Sequence, residues 1–143
     1  ALAFALLVNP AGLPQPRQTA CRRVVAAMLA HPEMVAGRGR ICTALLTTLA
    51  GKVIAKSGAE GFYALGVLPG ALAGEPAGLG IALKVEDGES RRGPIQMTIE
   101  VVRQLGLTDD AALRALLRQF SRQVANHRGE TVGAMEPIFE LKR

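Results

Sequence analysis

The stretch KVIAKSGAEGFYAL, residues 52–65, decides the fold of this chain. It contains two short apolar runs, Val53-Ile54-Ala55 and Phe62-Tyr63-Ala64-Leu65, separated by a polar segment that includes Gly58 and Gly61. Runs rich in β-branched and aromatic residues that flank glycines are typical of two strands joined by a tight turn. The pattern therefore predicts a β-hairpin that turns at residues 58–61.

Periodicity outside this hairpin predicts a third strand and several helices. Leu79, Ile81 and Leu83 alternate with small residues, so the third strand has one bulky face and one small face that a helix can approach closely. The other predicted elements are a loop at 9–16, helices at 18–29 and 41–49 with a loop at 34–40 between them, a helix from Pro94 to Gly106, a helix capped by Thr108, and a last strand at 137–142. Successive strands with short connections favour an antiparallel sheet with packed helices, an α+β fold.

Composition indicates one globular domain whose charge is unevenly distributed. The chain has 143 residues, of which 49% are hydrophobic and 20% charged, with a net charge of +5. Residues 1–56 contain seven basic residues and one acidic residue, Glu33, whereas the remainder is close to neutral. The arginines of this basic part lack interleaved aromatic residues and a recognition helix, so we expect no nucleic-acid partner and favour a small anionic substrate or an acidic neighbouring segment.

Neither the cysteines nor the apolar segments indicate a secreted or membrane protein. Cys21 and Cys42 form no Cys-x-x-Cys or Cys/His cluster, so no metal site is predicted within the chain. No run reaches the ~20 apolar residues of a membrane helix, and the opening residues 1–8 lack the basic start of a signal peptide. We therefore expect a cytoplasmic protein without membrane contact. Because the chain starts without Met in an uncapped apolar helix, we also expect residues 1–143 to be a piece of a longer protein.

Lys56-Ser57-Gly58, at the end of the first predicted strand, is the segment with the clearest capacity for chemistry. The lysine supplies a cation to a cleft beside the sheet, and Ser57 can hydrogen-bond a carboxylate or carbonyl group. Gly58 lets a ligand approach the backbone, after which the N–H of Ala59 is free to donate to a developing oxyanion. The alternative is a polar hairpin turn with a solvated lysine, because motifs of three residues are common by chance. No serine in the chain has a lysine three positions later, so no Ser-x-x-Lys nucleophile is present.

Several other polar residues allow both a functional and a structural interpretation. Arg40 suits the α-carboxylate of a substrate, as Arg38 does, but it equally suits the start of a helix. Glu60 either orders the turn by pairing with Lys56 or is solvated. Four further residues also allow a structural interpretation. Cys42 suits a buried core thiol, Lys84 and Asp87 suit the turn after the third strand, and His127 suits an exposed loop position.

Several longer segments of the chain are specific enough to compare with a known family. The two most specific are VIAKSGAEG at 53–61 and GLGIALKVEDG at 78–88. The others, in chain order, are AHPEMVAG at 30–37, Gly39-Arg40, Thr43-Ala44-Leu45, Asn126-His127-Arg128-Gly129, Val132-Gly133 and Pro137. Together they resemble the bacterial asparaginase II family of the thermolabile type along essentially the whole chain.

The resemblance implies a fold like that of serine β-lactamases, penicillin-binding proteins and serine-dependent glutaminases. It implies hydrolysis of L-asparagine to L-aspartate and ammonia through a serine acyl-enzyme. Lys56 and Ala59 would be the catalytic residues of this chain, and Ser57, Gly58 and Arg40 would bind the substrate. The nucleophilic serine, its lysine partner and the cysteine and lysine ligands of a zinc site in some members would all lie upstream of Ala1. Residues 1–143 would then be the C-terminal portion of a single asparaginase-like domain.

Two rival functions remain open at this point. Lys56-Ser57-Gly58 and the basic turn Arg91-Arg92-Gly93 also suit a serine-dependent glutaminase. A non-catalytic binding module on the same fold is the alternative from another class. The bare apolar surface of residues 2–8 predicts association with the N-terminal half of the protein or with a second copy.

Overall fold

The computed structural model describes residues 1–90 and 93–142, which form six helices and five strands. Their order is α1 (Leu2–Val8), α2 (Gln15–Ala30), α3 (Pro32–Ala36), α4 (Ile41–Thr48), β1 (Val53–Ser57), β2 (Phe62–Val67), β3 (Leu79–Lys84), α5 (Gly93–Gln104), α6 (Asp110–Gln119), β4 (Gln123–Ala125) and β5 (Thr131–Ala134). None of these helices combines the length and hydrophobicity that crossing a lipid bilayer requires.

The central sheet is antiparallel with the order β1-β2-β3, which confirms the predicted α+β fold and hairpin. Ser57 lies opposite Tyr63, and Tyr63 lies opposite Leu83, so these three residues share one face of the sheet. This face packs against α4, α5 and α6 in the larger hydrophobic core, which includes Leu45, Leu65 and Ile99.

The opposite face of the sheet is covered by α1 and α2. Val8, Val25, Leu46 and Ile54 form a second, smaller core on this face. The small face predicted for β3 is the contact surface for α1, because a side chain at Gly80 would overlap the backbone of Ala1 and Ala5. Gly66, next to Gly80 across the β2–β3 pair, gives the same helix its second close approach: a Cβ there would lie 2.6 Å from Val8.

Local capping and turn chemistry differ from the prediction in the helical parts. The loop expected at 34–40 is helical as far as Ala36, because Pro32 has the fixed φ that suits the first turn of α3. Similarly, α2 already begins at Gln15, with Pro16 in its first turn. The cap of α6 is Asp109 rather than Thr108, since the Asp109 carboxylate accepts from Ala112 N at 2.8 Å.

The last strand predicted at 137–142 is wrong; the segment has no regular secondary structure and pairs with no strand among the described residues. The side-chain amide of Gln104 makes hydrogen bonds to the backbone of this segment that a neighbouring strand would otherwise make. Its Nε2 donates to Phe139 O and its Oε1 accepts from Leu141 N, both at 2.8 Å. Ile138, the residue just before Phe139, is 96% exposed.

The final strands are instead β4 and β5, a small hairpin that the sequence analysis missed. Asn126 holds its turn, because Oδ1 of this side chain accepts from Arg128 N and Glu130 N. Asn followed three residues later by Gly129, which has a φ of 81°, is the turn signal that could have located this hairpin.

Gly80→Ala should lower the free energy of unfolding by about 1–3 kcal/mol, because the added methyl group overlaps helix backbone that cannot rotate away. Denaturant unfolding measures this change. Gly12→Ala is the matched control, since a Cβ at Gly12 has no atom within 4 Å and its φ is not positive. Equal stability of the two variants would contradict close packing of α1 on β3.

Candidate functional site

The hydrogen bonds of the β1–β2 hairpin determine which backbone groups of β1 are available to a ligand. Gly58 N donates to Phe62 O at 2.8 Å, and Leu68 N donates to Lys52 O at 2.8 Å. In an antiparallel pair, every second residue of a strand directs its N–H and C=O groups toward the partner strand. Because Lys52 and Gly58 make such bonds, the even-numbered residues of β1 are the ones that face β2. The backbone groups of Val53, Ala55 and Ser57 therefore point to the outer edge of β1, which pairs with no other strand among the described residues.

Both outward groups of Ser57 are occupied by side chains. Its N–H donates to the Sγ of Cys42, at 3.1 Å, and its carbonyl accepts from Nζ of Lys56, at 2.8 Å. The buried Cys42 thiol thus fixes the end of the strand from the core side. The Lys56 side chain is exposed, so its bond to Ser57 leaves the ammonium group accessible from solvent.

The N–H of Ala59 follows at the end of this edge. The carbonyl of Ala59 accepts a hydrogen bond from Phe62 N at 3.3 Å, but no residue in the described part of the chain accepts a hydrogen bond from Ala59 N. An exposed backbone donor beside a lysine can stabilise negative charge on a substrate oxygen. Gly58 lies between Ser57 and this donor, and a Cβ there would lie 2.8 Å from the Phe62 ring.

The two cations proposed from the sequence lie on different sides of β1. Lys56 shares a face with Ile54 and lines an open groove of about 380 Å³ together with Phe4, Met28 and Met34. Arg40 is the first residue before α4, and its carbonyl accepts from Ala44 N, which confirms a place at the helix start. The Arg40 guanidinium is exposed but acts electrostatically on Tyr63, on the Ser57 face.

Tyr63 anchors the segment after β3 beneath the site. Its hydroxyl donates to the carbonyl of Ser90 at 2.9 Å, and only 3% of the residue is exposed. Burial raises the pKa of Tyr63, the negative charges that Cys42 and Glu89 can carry raise it further, and the positive charge of Arg40 opposes the shift. The phenol therefore stays protonated as a donor throughout the neutral range.

The turn between β1 and β2 holds a strained residue. Glu60 has a φ of 54° and is the one non-glycine residue with positive φ among those described. Glu60 and Gly61 together form a turn of the type that favours Asn-Gly or Gly-Gly, so glutamate at the first position costs about 1–2 kcal/mol. A Cβ at Gly61 would overlap Val85 and lie 2.9 Å from Glu89 O.

Glu60 pairs with Lys84, so the pairing with Lys56 that the sequence allowed is wrong. Nζ of Lys84 donates to the main-chain oxygen of Glu60 and lies 3.6 Å from its Oε2. This contact between residues 24 positions apart was not readable from spacing, because it depends on the register that places Phe62 opposite Lys84. Asp87, as the sequence allowed, shapes the following turn by accepting from Glu89 N.

The other residues considered from the sequence lie elsewhere or in turns. His127 is exposed in the β4–β5 turn, far along the chain from β1. Arg91 and Arg92, on which the comparison with glutaminases depended, lie outside the described residues. The described residues bring together no group of three or more His, Cys, Asp or Glu that could hold a metal ion.

Comparison with known proteins identifies one family. The family model described as L-asparaginase II matches residues 1–137 of the chain. A search of curated protein sequences gave no significant match.

The Tyr63 phenol should titrate above its ordinary pKa of about 10 in the native protein and near 10 in urea. Because the unfolded state then loses its proton first, Tyr63 stabilises the native state below pH ~10, and this contribution is lost as the pH rises through the native pKa. Tyr63 is the single tyrosine and tryptophan is absent, so ultraviolet phenolate absorbance measures it directly. If the titration midpoint of the native protein were at or below that of the unfolded chain, the buried environment of Tyr63 would be contradicted. The Tyr63→Phe variant, which has no phenol, gives the background absorbance.

Proposed function

This chain belongs to the L-asparaginase II family, and we propose that it forms one wall of an amidohydrolase site that converts L-asparagine to L-aspartate and ammonia. The observation that carries the proposal is the end of β1, where exposed Lys56 is followed three residues later by exposed Ala59, whose N–H has no acceptor in the described part of the chain. Cation and donor together suit the oxyanion that develops when an amide carbonyl is attacked.

The proposed reaction proceeds through a serine acyl-enzyme. A serine hydroxyl attacks the side-chain amide carbon, its proton passes to the leaving nitrogen, and ammonia departs as the C–N bond breaks. Water then attacks the ester, which releases aspartate and restores the serine. None of the three serines of this chain has a lysine three positions later, so the proposal assigns the nucleophile and its lysine base to a segment preceding residue 1.

Lys56 and Ala59 are the proposed catalytic residues of this chain. Lys56 holds positive potential at the strand end, where it favours both an anionic substrate and a developing oxyanion. Its bond to the Ser57 carbonyl contributes about 1 kcal/mol, so the ammonium group can turn toward a ligand at small cost. The Ala59 N–H donates to the substrate oxygen without losing another partner.

Ser57, Gly58 and Arg40 are proposed to bind the substrate. The hydroxyl of Ser57 makes no hydrogen bond within the described residues, which leaves it available to the amino acid. Gly58 leaves the backbone before Ala59 without a side chain, in a place where a Cβ would lie 2.8 Å from the Phe62 ring, so that the amide can approach this backbone. The exposed guanidinium of Arg40, on the Ser57 side of β1, offers two parallel donors to the α-carboxylate.

The overall arrangement is proposed to be a penicillin-binding-protein-like site closed by a second wall. The exposed side chain of Met34, which lines the groove beside Lys56, and that of Leu2 in α1 leave apolar surface that the preceding segment or a second copy would cover. A shared site of this kind implies that residues 1–143 alone release no ammonia from asparagine.

Lys56→Ala, in the protein that includes the preceding segment, should lower kcat/KM for asparagine by about 100-fold or more, because the variant loses its cation at the reacting oxygen. Ammonia release measures the effect. Lys56→Arg keeps the charge and should retain part of the activity. Lys142→Ala removes another exposed lysine and is the control, expected to match the unmodified protein.

Near-normal hydrolysis of asparagine by the Lys56→Ala variant would contradict the proposed role of Lys56 at the end of β1. Parallel assays with asparagine and glutamine separate the asparaginase from a glutaminase of the same design. If the protein that includes the preceding segment released ammonia from neither amide, the non-catalytic binding module would replace the enzyme.

A further inference from the structure

We infer that Lys84 is a positioning residue, which holds the strained β1–β2 turn in the conformation that presents the Ala59 N–H and the Lys56 side chain. This inference rests on the proposed function, to which it adds a residue that does not contact substrate. It depends on the contacts of Glu60, Gly61 and Lys84.

The side chain of Glu60 does not impose the backbone conformation of the turn. The Glu60 side chain is 84% exposed, so no core packing forces its backbone to positive φ. Local preference works in the opposite direction, because a residue with a Cβ is disfavoured there. The hydrogen bond from Lys84 Nζ to the Glu60 carbonyl supplies the missing restraint, since it fixes the orientation of the peptide that joins Glu60 to Gly61.

Lys84 is suited to this contact by its place in the sheet. It lies opposite Phe62, on the same face as Phe62 and Lys56, one strand beyond the hairpin. The base of Lys84 is therefore fixed by β-sheet pairing, while its ammonium group reaches back to the turn. The next residue, Val85, adds a second restraint by donating its N–H to Gly61 O at 3.3 Å.

The ion pair with the Glu60 carboxylate is secondary in this arrangement. The carboxylate lies 3.6 Å from Nζ and both side chains are more than half exposed, so solvent screens the pair. The main-chain bond is the contact that acts on the turn. It follows that the identity of the side chain at position 60 matters through its backbone preference rather than through its charge.

A double-mutant cycle between Lys84 and Glu60 tests this inference in the protein that includes the preceding segment. Lys84→Met should increase amide hydrogen exchange at Gly58 and Phe62, the two donors that close the turn, by about tenfold. It should lower kcat by about the same factor and change KM much less, because the ground-state contacts of the substrate are retained.

Glu60→Asn should restore most of both losses in the Lys84→Met background, because asparagine adopts positive φ readily and the turn no longer needs the lysine. Glu60→Gln, which removes the charge but keeps the strain, should behave like the unmodified protein. Lys84→Arg, which can still donate to the carbonyl, should retain slow exchange and activity.

Additive effects of Lys84→Met and Glu60→Asn would overturn the inference. If Lys84 acted only through its charge near Lys56, Glu60→Asn would not rescue the activity of Lys84→Met. The exchange measurements do not require turnover, so they test the turn even if the protein hydrolyses neither amide. A protein without amidase activity whose turn exchange still follows the cycle would refute the proposed function and leave the restraint by Lys84 intact.

Discussion

The antiparallel pairing of β1 with β2 is the constraint on which the rest of the structure depends. Because Gly58 N bonds to Phe62 O, Ser57 directs its backbone to the open edge and its side chain to the α4 face. A slip of the register by one residue would exchange the two faces of β1. Lys56 would then enter the larger core, and Ala55 would face the smaller one, so burial of Val53 and Ala55 enforces the register of the segment that carries Lys56.

Packing on both faces of the sheet makes this edge rigid. On one face, α1 lies close to β2 and β3 because Gly66 and Gly80 leave room for helix backbone. On the other, Cys42 in α4 accepts from Ser57 N, so a helix in the larger core fixes the last residue of β1. A site whose reacting groups must stay within a fraction of an ångström benefits from a strand that is held from both sides.

The sequence predicted the parts of this arrangement that depend on local pattern. The hairpin at 53–65, the small face of β3 and the approach of a helix to it follow from alternation and glycine content, and the structure confirms them. The prediction of a strand at 137–142 failed because it was made without a partner strand. The amide of Gln104 satisfies the backbone there, and a side chain 35 residues away leaves no local signal.

The sequence predicted the part of the candidate site that lies in one contiguous segment. Lys56, Ser57, Gly58 and Ala59 are contiguous, so their place at a strand end could be read from the chain. The support of that segment could not, because Lys84, Cys42 and Tyr63 reach it only through the sheet register and helix packing. Sequence distance hides such contacts unless both partners are specified by a pattern.

The positive φ of Glu60 explains what the contacts from the end of β3 do: they hold the β1–β2 turn in a conformation that its own sequence disfavours. A turn that followed its local preference would need no restraint from β3 and no packing of Gly61 against Val85. Backbone strain persists only where the surrounding structure over-determines it, and here the restraint comes from the residues that end β3. Tyr63 anchors the same segment from the opposite face through Ser90, with a phenol that burial keeps protonated. The turn beside Ala59 is therefore set by β3 and its following loop as much as by the hairpin that contains it.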